Sequence, residues 1–257
     1  MTTERLQKVL AHWGVASRRH AEILIRRGQI LVNGQRAQLG DKVDPMRDRI
    51  EYRGQLLNPP RPPQRLYLLL HKPKGVLCTC HDPQGRPTVL DLLPPAYRGV
   101  GGLHPVGRLD ADSSGALLLT NDGAFTYYLS HPRHHIPKTY RVWVQGQPPA
   151  RVLQQWREGV LLEGRVTLPA VVKLLRSEGD RSLLEIILHE GRNRQIRRVA
   201  AQLGYPVLSL HRIAIGPIHL GNLAPRAVRP LSRQELAALP KPPTPLSTPA
   251  SFVKNRS

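Results

Sequence analysis

The spacing of apolar residues changes along the chain. Leu6, Val9, Leu10 and Trp13 fall at i, i+3, i+4 and i+7, which lays one apolar stripe along a helix. Gly14 ends that stripe. Ser17 is placed to cap a second helix, SRRHAEILIRRG, which Gly28 stops. ILVNGQRA then reads as two short strands about Asn33-Gly34. That dipeptide favours a two-residue hairpin turn because both positions tolerate positive φ.

From Leu66 the pattern becomes one of strands. LYLLLHK reads as a buried strand and ALLLT (116–120) as another, whereas TYRVWVQ alternates as a half-exposed strand does. VVKLLR and LLEIILH add two more. Helical segments interrupt them. DGAFTYYLSH follows a cap at Asn121 or Asp122, PARVLQQWREG has Pro149 near its first turn, and RNRQIRRVAAQLG is closed by Gly204. In the last, Ile196, Val199, Ala200 and Leu203 form the apolar stripe. The order of elements predicts an α+β fold: a large, mainly antiparallel sheet with flanking helices, preceded by a small helix-and-hairpin module.

Two stretches break the patterning. GQLLNPPRPPQR (54–65) carries four prolines and reads as a semi-rigid hinge. PKPPTPLSTPASFVKNRS (240–257) reads as a disordered tail. The expected divisions are 1–60, 61–239 and 240–257. No internal repeat is visible.

Charge narrows the partner. Lys and Arg total 38 against 18 Asp and Glu, a formal +20. Such an excess points to a polyanion, because each phosphate neutralised releases a condensed counterion. No run of about 18 apolar residues and no signal-peptide core is present, so a membrane partner is not expected and a cytoplasmic location is. Arg18, Arg19, Arg26, Arg27 and Arg36 crowd the first module, with Glu22 the only acid among them. A solvated charged surface accounts for some of this. Five arginines so close favour docking on RNA phosphates. The two cysteines, Cys78 and Cys80, are too close to pair and have no second pair to complete a zinc site. They read as ordinary strand cysteines in a reducing compartment.

The chemistry concentrates in two runs. GRLDADSSG (107–115) puts Asp110 and Asp112 into a basic chain. The run lacks the remaining ligands of a magnesium or calcium loop, so no metal is expected. Turn chemistry suits Asp112, Ser113, Ser114 and Gly115. It suits Asp110 less, since Arg108 stands two positions away. EGRNRQIRR places Arg192, Arg194, Arg197 and Arg198 within seven residues. A solvated helix face and phosphate binding are two readings of such a run. A third is that one arginine turns inward to a carboxylate, which favours its ionised form and fits it to act as a nucleophile. Tyr140 either packs on the sheet or offers a flat face to an unstacked base. The motifs of zinc deaminases, serine hydrolases, P-loops and dinucleotide folds are absent, so no cofactor is expected.

Taken together, HKPKGV (71–76), GRLDADSSGALLLTNDG (107–123), KTYRVWV (138–144) and the long run from EGRNRQIRR to RAVRPLS (190–232) resemble the RsuA/RluB/RluE/RluF group of ribosomal RNA pseudouridine synthases. The first module resembles the small α-L RNA-binding domain named after ribosomal protein S4. The resemblance implies an antiparallel sheet split into two halves with the active site between them. It implies Asp110 as catalytic aspartate, Tyr140 as the tyrosine that stacks on the target uracil, and Arg197 as the basic residue paired with Asp110. Ile196 would line the base pocket and Arg108 would lie near the flipped nucleotide. Lys138 and Arg194 would bind substrate, and Arg18, Arg19, Arg26 and Arg27 would bind RNA. It further implies a monomer acting on ribosomal RNA or a pre-ribosomal particle, more specifically the large subunit, without metal or cofactor. A non-catalytic RNA-binding or ribosome-assembly protein is the competing reading. It would have no need of Asp110, Tyr140 and Arg197 together. A DNA-binding regulator would need a recognition helix, and none stands out.

Overall fold

Two short helices and a small sheet close a core of their own at the N-terminal end. The computed structural model describes residues 3–57, 65–98 and 100–239. Most of the proline-rich hinge (58–64) and the whole of the expected tail (240–257) lie outside the described residues. The helices Leu6–His12 and Arg18–Arg26 turn Leu6, Leu10, Ala21 and Ile25 onto Ile30 and Ile50. Ser17 Oγ accepts the His20 amide at 3.2 Å and caps the second helix. The hairpin Ile30–Val32/Gln35–Arg36 turns at Asn33 and Gly34, with φ of 52° and 80°, as the dipeptide predicts.

The larger sheet runs, edge to edge, Val171–Glu178, Arg181–Leu188, Lys138–Gln145, Val207–Ile215, Ser114–Thr120, Tyr67–Lys72, Val228–Pro230. Short strands His104–Val106 and Ile218–His219 pair with Ser114–Thr120 and Val207–Ile215 respectively. Burial explains the two hydrophobic patterns. Strands Tyr67–Lys72 and Ser114–Thr120 are covered on both faces: Leu69 and Leu118 pack under helix Gly123–Ser130, while Leu68, Leu70, Leu117 and Leu119 meet Val76, Val89 and Leu93. They therefore read as unbroken apolar runs. Strand Lys138–Gln145 buries only Val142 and Val144, under helices Ala150–Glu158 and Gln195–Gln202, and so alternates. Its central neighbour, Val207–Ile215, is poorly signalled because His211 and Arg212 interrupt it.

The sheet has two halves, joined at one place. Every pairing among these strands is antiparallel except that of Ser114–Thr120 with Val207–Ile215, which is parallel and spans only His211↔Ser114 and Arg212↔Gly115. The backbones crowd at this joint. A Cβ on Gly115 would lie 2.6 Å from the Arg212 amide nitrogen and closer still to its carbonyl oxygen, and Gly115 has φ +113°. Gly115, expected as a turn residue, is thus what lets the halves meet.

Two expectations are corrected here. The segment RNRQIRRVAAQLG becomes helical only from Gln195, because Arg194 sits at φ +48°, outside the helical region. Cys78 and Cys80 do not lie in a strand. The chain bends after Pro73 and Gly75, and the Cys78 thiol accepts the Leu109 amide at 3.3 Å. Both cysteines are free thiols. Among the described residues no helix is long and apolar enough to cross a membrane.

We expect Gly115→Ala to lower the thermal midpoint by at least about 5 °C, since parting the joint should cost ~2 kcal/mol. Calorimetry or circular dichroism checks this. An unchanged midpoint would mean that the joint tolerates a side chain.

Candidate active site

The loop between strands His104–Val106 and Ser114–Thr120 carries Asp110, and its backbone is held from several sides. Lys72 ends strand Tyr67–Lys72 completely buried, and its ammonium donates to the carbonyls of Pro73 (2.9 Å), Asp110 (3.0 Å) and Ser113 (2.9 Å). Three donors and three acceptors match, as burying an ammonium requires. The Gly75 amide donates to the Ala111 carbonyl at 2.7 Å, and the Ser113 amide to that of Asp110 at 3.1 Å. Arg197 Nη2 donates to the Asp112 carbonyl at 3.2 Å and Arg212 Nη1 to that of Arg108 at 3.4 Å. With its carbonyls committed in this way, the loop presents the Asp110 carboxylate outward.

Beside that carboxylate lies a cleft of about 220 Å³ at the seam between the half-sheets. It is smaller than the roughly 300–1,000 Å³ usual for drug-sized ligands and suits one flat heterocycle. Asp110, Arg108, Lys138, Tyr140, Arg194, Ile196 and Arg197 all line it, so every residue expected at the catalytic centre meets in one place. Lys138 and Tyr140 share a face of their strand. A bulge between Thr139 and Tyr140 sets Tyr140 opposite Arg212 rather than Ile213. The Arg212 guanidinium then stands 6.0 Å from the centre of the Tyr140 ring. Ile196 forms an apolar wall, only 4% exposed.

The arginine pairing departs from expectation. Asp110 pairs with Arg194, Oδ2 to Nη1 at 3.3 Å, and not with Arg197. Arg194 also donates to Asp112 at 3.1 Å, while Arg197 reaches Asp112 Oδ2 at 3.3 Å and Ser113 Oγ at 3.2 Å. The left-handed turn at Arg194 causes this. It swings Arg194 toward both carboxylates and leaves Arg197, one turn into the helix, facing Asp112. Partial burial alone would raise the Asp112 carboxyl, but the Arg194 hydrogen bond and the charges of Arg197 and Arg194 outweigh it and hold it below the usual range. Asp112 is therefore an anchor for two arginines as well as a turn residue.

Other groups are not legible in the sequence as part of the site. Lys72 and Arg212 sit in apolar strands, where a lone cation looks like a strand end. Burial lowers the Lys72 ammonium, with Cys78, Asp110 and Asp112 pulling the other way. Gln195 and Glu190 brace the second loop: Gln195 Nε2 donates to Glu190 at 2.8 Å, and Glu190 also receives the Leu168 amide and pairs with Arg192. Lys138 loses most of its solvation, and with the charge of Arg212 added, its ammonium falls to about 8. Arg18, Arg19, Arg26 and Arg27 do not line the cleft. They stand exposed on helix Arg18–Arg26 and its C-cap. Among the described residues no group of three or more His, Cys, Asp or Glu could hold a metal ion.

Comparison with known proteins identifies the family. A family model described as RNA pseudouridylate synthase matches residues 66–202, and an S4 domain model matches 4–48. The chain is 42% identical to ribosomal large subunit pseudouridine synthase B of Bacillus subtilis (strain 168), over 92% of this chain and 95% of that one. It is 38% identical to the Yersinia pestis protein of the same name, over 87% of this chain and 70% of that one. A crystal structure titled as a pseudouridylate synthase superposes with a TM-score of 0.65 at 31% identity, covering 91% of this chain and 98% of that chain.

The two arginines should differ in what they contribute to stability. Arg197 is 14% exposed and closes the loop through three groups, whereas Arg194 is 43% exposed. We expect Arg197→Ala to cost ~2 kcal/mol in urea unfolding and Arg194→Ala less than about 1. Equal costs would contradict this division.

Proposed function

Because the chain belongs to the RNA pseudouridylate synthase family, we propose that it converts one uridine of large-subunit ribosomal RNA to pseudouridine, with Asp110 as nucleophile. The subunit is inferred from the names of the Bacillus subtilis and Yersinia pestis relatives. The observation that carries the site assignment is that Asp110, Tyr140, Ile196 and six lysine and arginine side chains line a single cleft sized for one base, with Asp110 on a loop whose carbonyls are tied back.

The chemistry then follows from position. The target uridine leaves its stack, at a cost of a few kcal/mol. Tyr140 and Ile196 give the exposed base two apolar surfaces, and Arg108 lies at the exposed edge where the nucleotide backbone passes. The Asp110 carboxylate, its charge balanced by Arg194 at 3.3 Å, attacks the nucleotide. The bond from C1′ to N1 breaks, the ring turns within the cleft, and C5 bonds to C1′ as the Asp110 carboxylate is released. The C5 proton leaves and N1 takes one up, so the product is an isomer and no outside reactant is consumed. The N-terminal module holds the RNA through Arg19, Arg26 and Arg27, and a monomer working in the cytoplasm accords with this reading.

Two measurements test it. Pseudouridine mapping of ribosomal RNA from cells with and without the gene should show one large-subunit site that depends on it. Asp110→Asn should fold and bind RNA but form no pseudouridine at that site. Full activity in that variant would sink the nucleophile. For the module, replacing Arg19, Arg26 and Arg27 together by Ala should weaken RNA binding. It should also flatten the plot of log affinity against log salt by about 0.7–0.9 for each phosphate no longer neutralised. An unchanged slope would remove these arginines from the interface.

A further inference from the structure

Two cations at the floor of the cleft have no anionic partner among the described residues. Arg212 is 4% exposed. Its Nε donates to the Ala116 carbonyl at 2.7 Å and its Nη1 to that of Arg108, but its Nη2 is buried without a hydrogen-bond partner among the described residues. Lys138 lines the same cleft, and among the described residues its ammonium makes no hydrogen bond or ion pair. The acids of the cleft are committed elsewhere, Asp110 to Arg194 and Glu190 to Arg192. An orphaned buried donor costs about 1–3 kcal/mol, and two like charges close together in a low dielectric cost more. A site that carries both is pre-arranged for negative charge.

The reaction supplies one. When the C1′–N1 bond breaks, its electron pair stays on N1 and the electron-poor C1′ is met by the Asp110 carboxylate. The ring is then a uracil anion whose charge spreads to its two carbonyl oxygens. When C5 closes on C1′ it displaces the Asp110 carboxylate, and this bond leaves the ring neutral; the C5 proton then departs and N1 gains one. The anion therefore exists only between the two bond changes, while the ring is loose in the cleft.

We propose that Lys138 and Arg212 form an anion cradle that holds the detached uracil. Lys138 donates to a ring carbonyl oxygen, and Arg212 adds its charge from beneath Tyr140. The bulge at Thr139/Tyr140 is what sets Arg212 under that ring. The cradle stabilises the ring while it turns and keeps it from escaping. A backbone phosphate is the alternative partner for these cations, but Arg212 is only 4% exposed and lies against the Tyr140 ring, which favours an inserted base over the RNA backbone. The inference rests on reading the cleft as the uridine site.

Lys138→Met is the first test, since the Lys138 side chain donates no hydrogen bond among the described residues whose loss would unfold the chain. With an RNA stem-loop carrying the mapped uridine, kcat should fall roughly 100-fold. RNA affinity and its salt slope should stay unchanged. A slope lowered by about 0.7–0.9 with kcat intact would make Lys138 a phosphate ligand and overturn the cradle. Arg212→Lys, which keeps the charge, should retain more of kcat than Lys138→Met. The second test needs no active variant. Free 5-nitrouracil ionises in the mildly acidic range with a change in absorbance, and saturating wild-type protein should lower its pKa by about one unit. An unmoved titration overturns the proposal. A wild-type chain that modifies no uridine at all would instead refute the functional reading.

Discussion

The architecture of the site depends on one buried ammonium. Lys72 joins the end of strand Tyr67–Lys72 to the Asp110 and Ser113 carbonyls, the two ends of the turn that carries the acidic residues. Removing a cation from water costs several kcal/mol, and only a complete set of acceptors offsets it. The loop must therefore supply its carbonyls at fixed places, and that requirement shapes it. Gly75, Arg197 and Arg212 take further carbonyls of the same stretch, so one strong demand becomes a mutually consistent set.

The joint between the half-sheets works with this arrangement. Gly115 and Arg212 bring two parallel strands into close contact, and the side chain of Arg212 turns back to hold the carbonyls of Ala116 and Arg108. One residue thus closes the seam, steadies the loop and sets its guanidinium 6.0 Å from the centre of the Tyr140 ring. The positive charge of the chain divides by location. Exposed arginines on helix Arg18–Arg26 face solvent, where screening makes each worth little to stability. Lys72 and Arg212 are buried and Lys138 is half-buried, where a charge acts strongly on whatever lies beside it.

Much of this is readable in the sequence, for identifiable reasons. Strands Tyr67–Lys72 and Ser114–Thr120 announce themselves because both faces are covered, and Lys138–Gln145 because only one is. The residues expected at the catalytic centre converge because each belongs to a run with its own local signal. The exchange of partners between Arg194 and Arg197 is not readable, since a single left-handed residue before the helix decides it. Lys72 and Arg212 are hidden for a different reason. What makes a buried cation stable is a set of carbonyls distant in sequence, and no local pattern encodes them. Strand Val207–Ile215 is obscured because it carries one of those cations.

The tied-back loop has a consequence for how a target is chosen. A loop with few spare hydrogen-bonding groups has little to rearrange when a ligand arrives, so the protein does not adapt to the RNA; the RNA adapts to it. Deformation energy falls on the nucleic acid, and it differs from one uridine to the next. A base in a strained bend or an unpaired loop has already lost part of its stacking, whereas one within a helix has not. A rigid cleft of this kind ranks sites by how little work their exposure takes, and it would pass over a well-stacked uridine in the right sequence for a loosely held one.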